Sequence, residues 1–185
     1  MPYLRPDTNA PFGFMPADGA TARIGYYSKL TSTPAIFAGD MLKLNSSGQV
    51  VPVTAITDVM IIGVAAESVA SGSTTTCAVY DDPDQLFVCQ EDSVGTAMSQ
   101  SLVGNVADIT GFTPGTAAQV TRNRSIMQLD TSTALSAPAA GSGPLKIVRL
   151  HEVETSGFPS AAGSPRKVVV SISPAFHYFA SASGV

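Results

Sequence analysis

The sequence predicts a mainly β fold: an antiparallel β-barrel or β-tulip-like domain with an extended N-terminal arm and at most one short helix. Three observations lead there. Between residues 40 and 90, short β-prone runs alternate with turn chemistry at Ser46-Ser47-Gly48, Ser71-Gly72 and Asp81-Asp82-Pro83-Asp84, the pattern of a compact antiparallel domain. Met60 to Ala66 is an unbroken apolar run of strand length, as in a strand buried on both faces. Prolines at positions 2, 6, 11, 16 and 34 deny the first 36 residues a continuous helix or a central strand.

The chain divides accordingly into an arm over 1–36, a β domain over 37–173 and a tail over 174–185. The arm keeps Tyr3, Leu4, Phe12, Phe14, Tyr26 and Tyr27. A solvated disordered tail normally lacks aromatics, so these rings lie either on a neighbouring molecule or back over the parent domain. Removal of residues 1–16 is expected to leave a folded core. Met41, Leu42 and Leu44 begin the domain, Ser46-Ser47-Gly48 turns the chain, and Val50, Val51 and Val53 return it as a hairpin. Thr74 to Tyr80 and Gln85 to Gln90 read as a second hairpin. Asp81, Asp82, Pro83 and Asp84 form its structural turn: proline presets one backbone angle and the Asp side chains bond turn amides.

Gly95 to Asp108 holds the one short helix, through Ala97, Met98, Leu102 and Val103 between two glycines. Ser125 to Asp130 reads as a strand with Ile126 opposite Met127 and Leu129. Leu145 to Leu150 and Lys167 to Ile172 are the clearest late strands. Between and before them, 135–144 and 156–165 are Gly/Pro/Ser loops of the kind that carry contacts. Phe176, Tyr178 and Phe179 return aromatics to the tail.

Composition narrows the function. The chain has 185 residues, enough for one self-sufficient core. Charged residues are 13% of it, about half the usual share for a soluble domain. Charge normally keeps a monomer dispersed, so this surface suits one that other subunits cover. The net charge is −4, and Arg122-Asn123-Arg124 is the densest basic cluster, read as a turn or strand-end pair; phosphate neutralisation needs more, so no nucleic acid is expected. No apolar run reaches membrane-spanning length, and the first residues lack a signal-peptide pattern. Synthesis and at least initial retention in a cytoplasm follow as expectations, with no membrane partner.

Searching for chemistry returns little. His151-Glu152-Val153-Glu154 lacks the second histidine of a zinc-protease helix, and His151 and His177 are the only histidines. Cys77 and Cys89 lack zinc-knuckle spacing. They flank the Asp81–Asp84 turn and would face each other across a hairpin there, although a cytosolic origin favours free, buried thiols. No phosphate-cradling glycine loop or hydrolase elbow is present. Asp81, Asp82, Asp84, Glu91 and Asp92 form an acidic group dense enough for calcium, but their spacing is not that of an EF-hand and they fit turn chemistry. No catalytic residue, metal or cofactor is expected.

The order of segments resembles the decoration, or cement, proteins that stabilise the capsids of tailed bacteriophages. The residues carrying the likeness are Gly39-Asp40 with Leu42 and Leu44, Gly48 to Val53, Ile62-Gly63-Val64-Ala65, and above all Val79-Tyr80-Asp81-Asp82-Pro83-Asp84-Gln85-Leu86-Phe87. Ala97 through Val103-Gly104-Asn105, Ser125 to Asp130 and Leu145 to Val148 continue it in order, so it spans Phe37 to Ile172 and leaves the aromatic termini outside. The resemblance implies a β-barrel or β-tulip domain seated on the outer capsid and clustered as a homodimer or homotrimer. Its implied partner is the major capsid protein, and it carries over no catalytic residues. A phage tail or baseplate β-domain and a carbohydrate-binding β-module on a virion surface are the alternatives. Contacts to capsid or neighbour are expected from Tyr3, Leu4, Arg5, Phe12 and Phe14 in the arm, Phe158 in the late loop, and Phe176 and Tyr178 in the tail.

Overall fold

In the computed structural model the described residues are 11–17, 22–55, 60–73, 76–95, 98–113, 116–132, 143–151 and 165–180. Among these described residues eleven strands run in chain order: β1 Met15–Pro16, β2 Ile24–Ser28, β3 Met41–Leu44, β4 Val50–Pro52, β5 Ile61–Ala65, β6 Thr76–Tyr80, β7 Leu86–Gln90, β8 Val106–Thr110, β9 Gln128–Asp130, β10 Leu145–Leu150 and β11 Lys167–Ile172. They form two antiparallel sheets. One has six strands in the order β1-β7-β11-β10-β8-β9, the other five in the order β2-β6-β5-β3-β4.

The mainly antiparallel β class stands, but the sheets pack as a sandwich and do not close into a barrel. A single parallel bridge, Lys29 to Val50, touches the two edges of the five-stranded sheet together without a ladder to seal it. Between the sheets lies the larger core, in which Met41, Ile61 and Val64 meet Phe87, Leu145, Ile147, Val168 and Val170. A second core backs the five-stranded sheet and holds Ile36, Leu42, Val50, Ile62, Cys77 and Val79. That sheet is therefore apolar on both faces, which is why β5 is buried at every position.

Two bulges set which side chains reach the main core. Strict alternation would put Ile61 and Val64, three residues apart, on opposite faces. A register shift between Leu42 and Lys43 against β5 lets both enter the same core. On β10 a shift between Ile147 and Arg149 similarly brings Leu145, Ile147 and Leu150 inward. Gly63 sits at the first bulge with φ +150°, and a Cβ there would lie 2.0 Å from the Tyr80 carbonyl oxygen.

Four sequence expectations are corrected. β6 and β7 are not a hairpin. β6 pairs with β2 and β5, β7 with β1 and β11, and residues 81–85 form a corner carrying the chain from one sheet to the other. Cys77 and Cys89 accordingly lie in different cores, and both are free.

The helix lies elsewhere. α1 spans Ala117–Arg122, while Gly95 to Asp108 contains only a 3-10 turn at Gln100–Leu102 before β8 begins. Thr116 caps α1 in a capping box with Gln119, and Asn123 ends it at φ +48°.

The described part of the arm belongs to the sandwich. Phe14 is a core residue, β1 pairs with β7, and β2 pairs with β6 along its whole length. Pro16 is accommodated because β1 is an edge strand. Deleting residues 1–16 would therefore remove core. Finally, the tail docks on β5: the Ile61 N–H donates to the Phe176 carbonyl and the Tyr178 N–H to the Ile61 carbonyl, each at 2.8 Å.

Candidate functional site

Three buried carboxylates join distant segments, and their bonding decides what chemistry they can do. Asp81, at the corner after β6, accepts from the Arg23 Nε at 2.7 Å and the Tyr27 hydroxyl at 2.5 Å, while its carbonyl accepts from the same guanidinium at 3.0 Å. Gly25 makes room for this: a Cβ there would stand 2.4 Å from the Asp81 Oδ2. Burial and the bond to Asp81 push the Tyr27 phenol up, well out of the range of a proton donor near neutrality. The Arg23 guanidinium also lies 5.3 Å over the Phe179 ring, tying tail to corner.

Glu91 is the second junction. Its oxygens accept from the Arg166 N–H at 3.0 Å and the Met98 N–H at 3.2 Å, and the Arg166 guanidinium reaches the Met98 carbonyl. Burial holds Glu91 above the usual carboxylate range against the pull of those donors. Asp40, the third, accepts the Phe37 N–H at 2.8 Å, but its Oδ1 has no partner. Burial pushes it up to about 6, with the Ser125 hydroxyl and Phe37 N–H acting the other way.

These groups hold the fold. The acidic residues that suggested calcium split into two sets at opposite ends of β7, which spans roughly 17 Å. Among the described residues, no three His, Cys, Asp or Glu side chains gather as a metal site. Burial pushes the Cys77 thiol up to about 12 and Cys89 further, so neither is a thiolate near neutrality. No described helix is long and apolar enough to cross a membrane.

The surface feature that stands out is at the open edge where β1 and β2 end their sheets. Side chains across the sandwich face of the five-stranded sheet form one row: Met41 pairs with Val64, Val64 with Tyr80, and Tyr80 with Ile24. Burial falls outward along it. Met41 and Val64 are fully buried, Tyr80 is half-buried and Ile24 is 44% exposed. The sheet thus overhangs its partner. Tyr26, two residues on and on the same face, is 72% exposed, and Met15 across the opening is 43% exposed. A cleft of about 240 Å³ enters there, lined by Phe14, Met15, Pro16, Ala66, Tyr80 and Arg124 among others.

The contact residues read from the sequence scatter. Tyr3, Leu4, Arg5 and Phe158 lie outside the described residues. Phe14 is core and not surface; Phe12 is half-buried, packs on the outer face of the six-stranded sheet and has the Lys167 ammonium 6.0 Å from its ring centre. Phe176 and Tyr178 pack against the two cores. Asp82 does serve the turn, its Oδ1 accepting the Asp84 N–H at 3.0 Å, and the turn includes Pro83. Ile24, Met15 and Arg124 are not among the contacts read from the sequence, and Tyr26 enters there only as one of the arm's aromatic rings. Their signal was available: prolines stop at 16 and resume at 34, leaving a window in which Ile24, Tyr26 and Ser28 alternate with Gly25 and Tyr27. No family model, curated protein or solved structure matches this chain.

Proposed function

We propose that the protein is a virion structural protein that binds the outside of an icosahedral capsid and stabilises it by bridging major capsid protein subunits. The observation carrying this reading is the overhanging edge, where Ile24, Tyr26 and Met15 stay exposed on a chain with only 13% charged residues. Such a surface gains most when another protein covers it. The corner Asp81-Asp82-Pro83-Asp84, the most distinctive part of the likeness to capsid cement proteins, supports it by fixing that edge through Arg23 and Tyr27.

A ligand that binds only the assembled shell stabilises it by mass action, and repeated copies on a lattice gain avidity. The test is co-sedimentation of purified protein with capsids lacking it, followed by thermal disruption of the shells. Saturable binding with a raised disruption temperature is expected. Protein that stays in the supernatant over shells of the cognate capsid protein refutes the reading.

A further inference from the structure

The four sheet edges are not equally protected. β1 is two residues long and contains Pro16; β4 is three residues long and contains Pro52; β9 is three residues long and ends in Asp130. Shortness, proline and charge are the devices by which edges resist pairing with another chain. β2 has none of them. It presents five residues, Ile24–Ser28, without proline or charge; among the described residues its ladder is to β6 alone, and the bridge from Lys29 to Val50 of β4 falls just beyond its last residue.

Beside this edge the overhanging face supplies what an added strand needs. Ile24 and Tyr26 project from alternate positions, and Tyr80, next to Ile24 in the ladder, leads into the 240 Å³ cleft. At that cleft stands Arg124, exposed and without an ion pair among the described residues, in a chain whose net charge is −4. A free guanidinium beside an apolar cleft is complementary to a carboxylate on an otherwise apolar segment.

We infer that the β2 edge is a β-augmentation site for an extended segment of a partner protein, with alternate apolar side chains over Ile24, Tyr26 and Tyr80 and a carboxylate at Arg124. Main-chain hydrogen bonds supply affinity in this mode and the side-chain pockets supply specificity. The inference deepens the capsid-binding proposal and rests on it only for the identity of the partner.

The test is to pan a displayed library of random dodecapeptides on the full chain. Enriched peptides are then titrated by fluorescence anisotropy against the wild type, an Ile24→Lys/Tyr26→Lys double variant and Arg124→Glu. All three positions are exposed, and thermal melts check that each variant is folded. Enriched peptides are expected to alternate apolar and polar residues and to contain Asp or Glu. Affinity should fall at least tenfold on either variant and return on Arg124→Glu when the peptide's acid becomes Lys. No enrichment, or affinity indifferent to the double variant, overturns the site, and indifference to Arg124→Glu overturns the carboxylate. A self-associating chain that the double variant makes monomeric would assign the edge to a second copy and overturn the partner. Capsid co-sedimentation is read separately, so its failure beside a successful selection sinks the capsid proposal and leaves the edge standing.

Discussion

Asp40→Asn isolates a pH effect built into the fold. Asp40 is fully buried and its Oδ1 has no partner, so its charged form is held in an unfavourable medium. Burial raises its pKa from an ordinary 3.8 to about 6. The folded state therefore holds a proton that the unfolded chain releases, and the stabilisation is complete below about pH 4 and lost as pH rises through 6. At 1.36 kcal/mol per unit, and with the unfolded carboxyl already more than half ionised at pH 4, the shift makes the wild type about 2 kcal/mol less stable at pH 8 than at pH 4 through this group alone. Asparagine keeps an acceptor for the Phe37 N–H and does not titrate. Urea unfolding of both proteins from pH 4 to 8 should show the variant gaining on the wild type by about 2 kcal/mol across that range. The difference is the informative quantity. Burial pushes His177 below its ordinary 6.5, so its contribution is present above that value and lost as pH falls through the lower folded one, the opposite sense. Glu91 runs with Asp40. Both cancel in the comparison, and a pH-independent difference would refute the assignment of the buried charge to Asp40.

Asp81→Ala strips partners from the Tyr27 hydroxyl and the Arg23 guanidinium, and is expected to cost about 3 kcal/mol, mostly through Tyr27 because Arg23 is exposed. Asp84→Ala, whose backbone and not its side chain makes the turn bond, should cost under about 0.5 kcal/mol; equal losses in urea unfolding would show that the corner is ordinary turn chemistry. Gly63→Ala combines φ +150° with a Cβ 2.0 Å from the Tyr80 carbonyl, so a loss above about 3 kcal/mol or insoluble protein is expected. A variant melting within a few degrees of wild type would contradict that geometry. Phe14→Ala should cost about 3–5 kcal/mol as a core truncation and Phe12→Ala far less; the reverse order in thermal melts would return residues 12–14 to a surface arm.

What the sequence makes legible is the local part of the fold. The β3–β4 hairpin, the buried run of β5 and the late strands β10 and β11 are written in short apolar patterns and a Gly-containing turn. The capping box Thr116-Ala117-Ala118-Gln119 was equally local and marks the true helix, whereas the weak apolar face at 95–108 lost to Ala107 and Ile109 alternating into the core as β8. The corner was not legible locally. Two β-prone runs around Asp-Asp-Pro-Asp look like a hairpin, and only Arg23 and Tyr27, more than fifty residues upstream, make it a junction between sheets. The same holds for the edge, because exposure of Ile24 depends on where the six-stranded sheet stops.

That dependence links the corner to the proposed binding edge. An edge strand that frayed would have to be ordered on binding, and ordering costs affinity. β2 is held from the face that backs the sandwich: Tyr27 reaches across Gly25 to Asp81, and Arg23 clamps the same carboxylate and its carbonyl. With those side chains fixed on the backing face, alternation fixes Ile24 and Tyr26 on the overhanging sandwich face. The acidic corner thus need not touch a partner to matter for binding. It pre-sets the register and orientation of the strand that does, so loss of Asp81 should weaken edge peptides through a disordered β2 while leaving the Arg124 preference for acid intact.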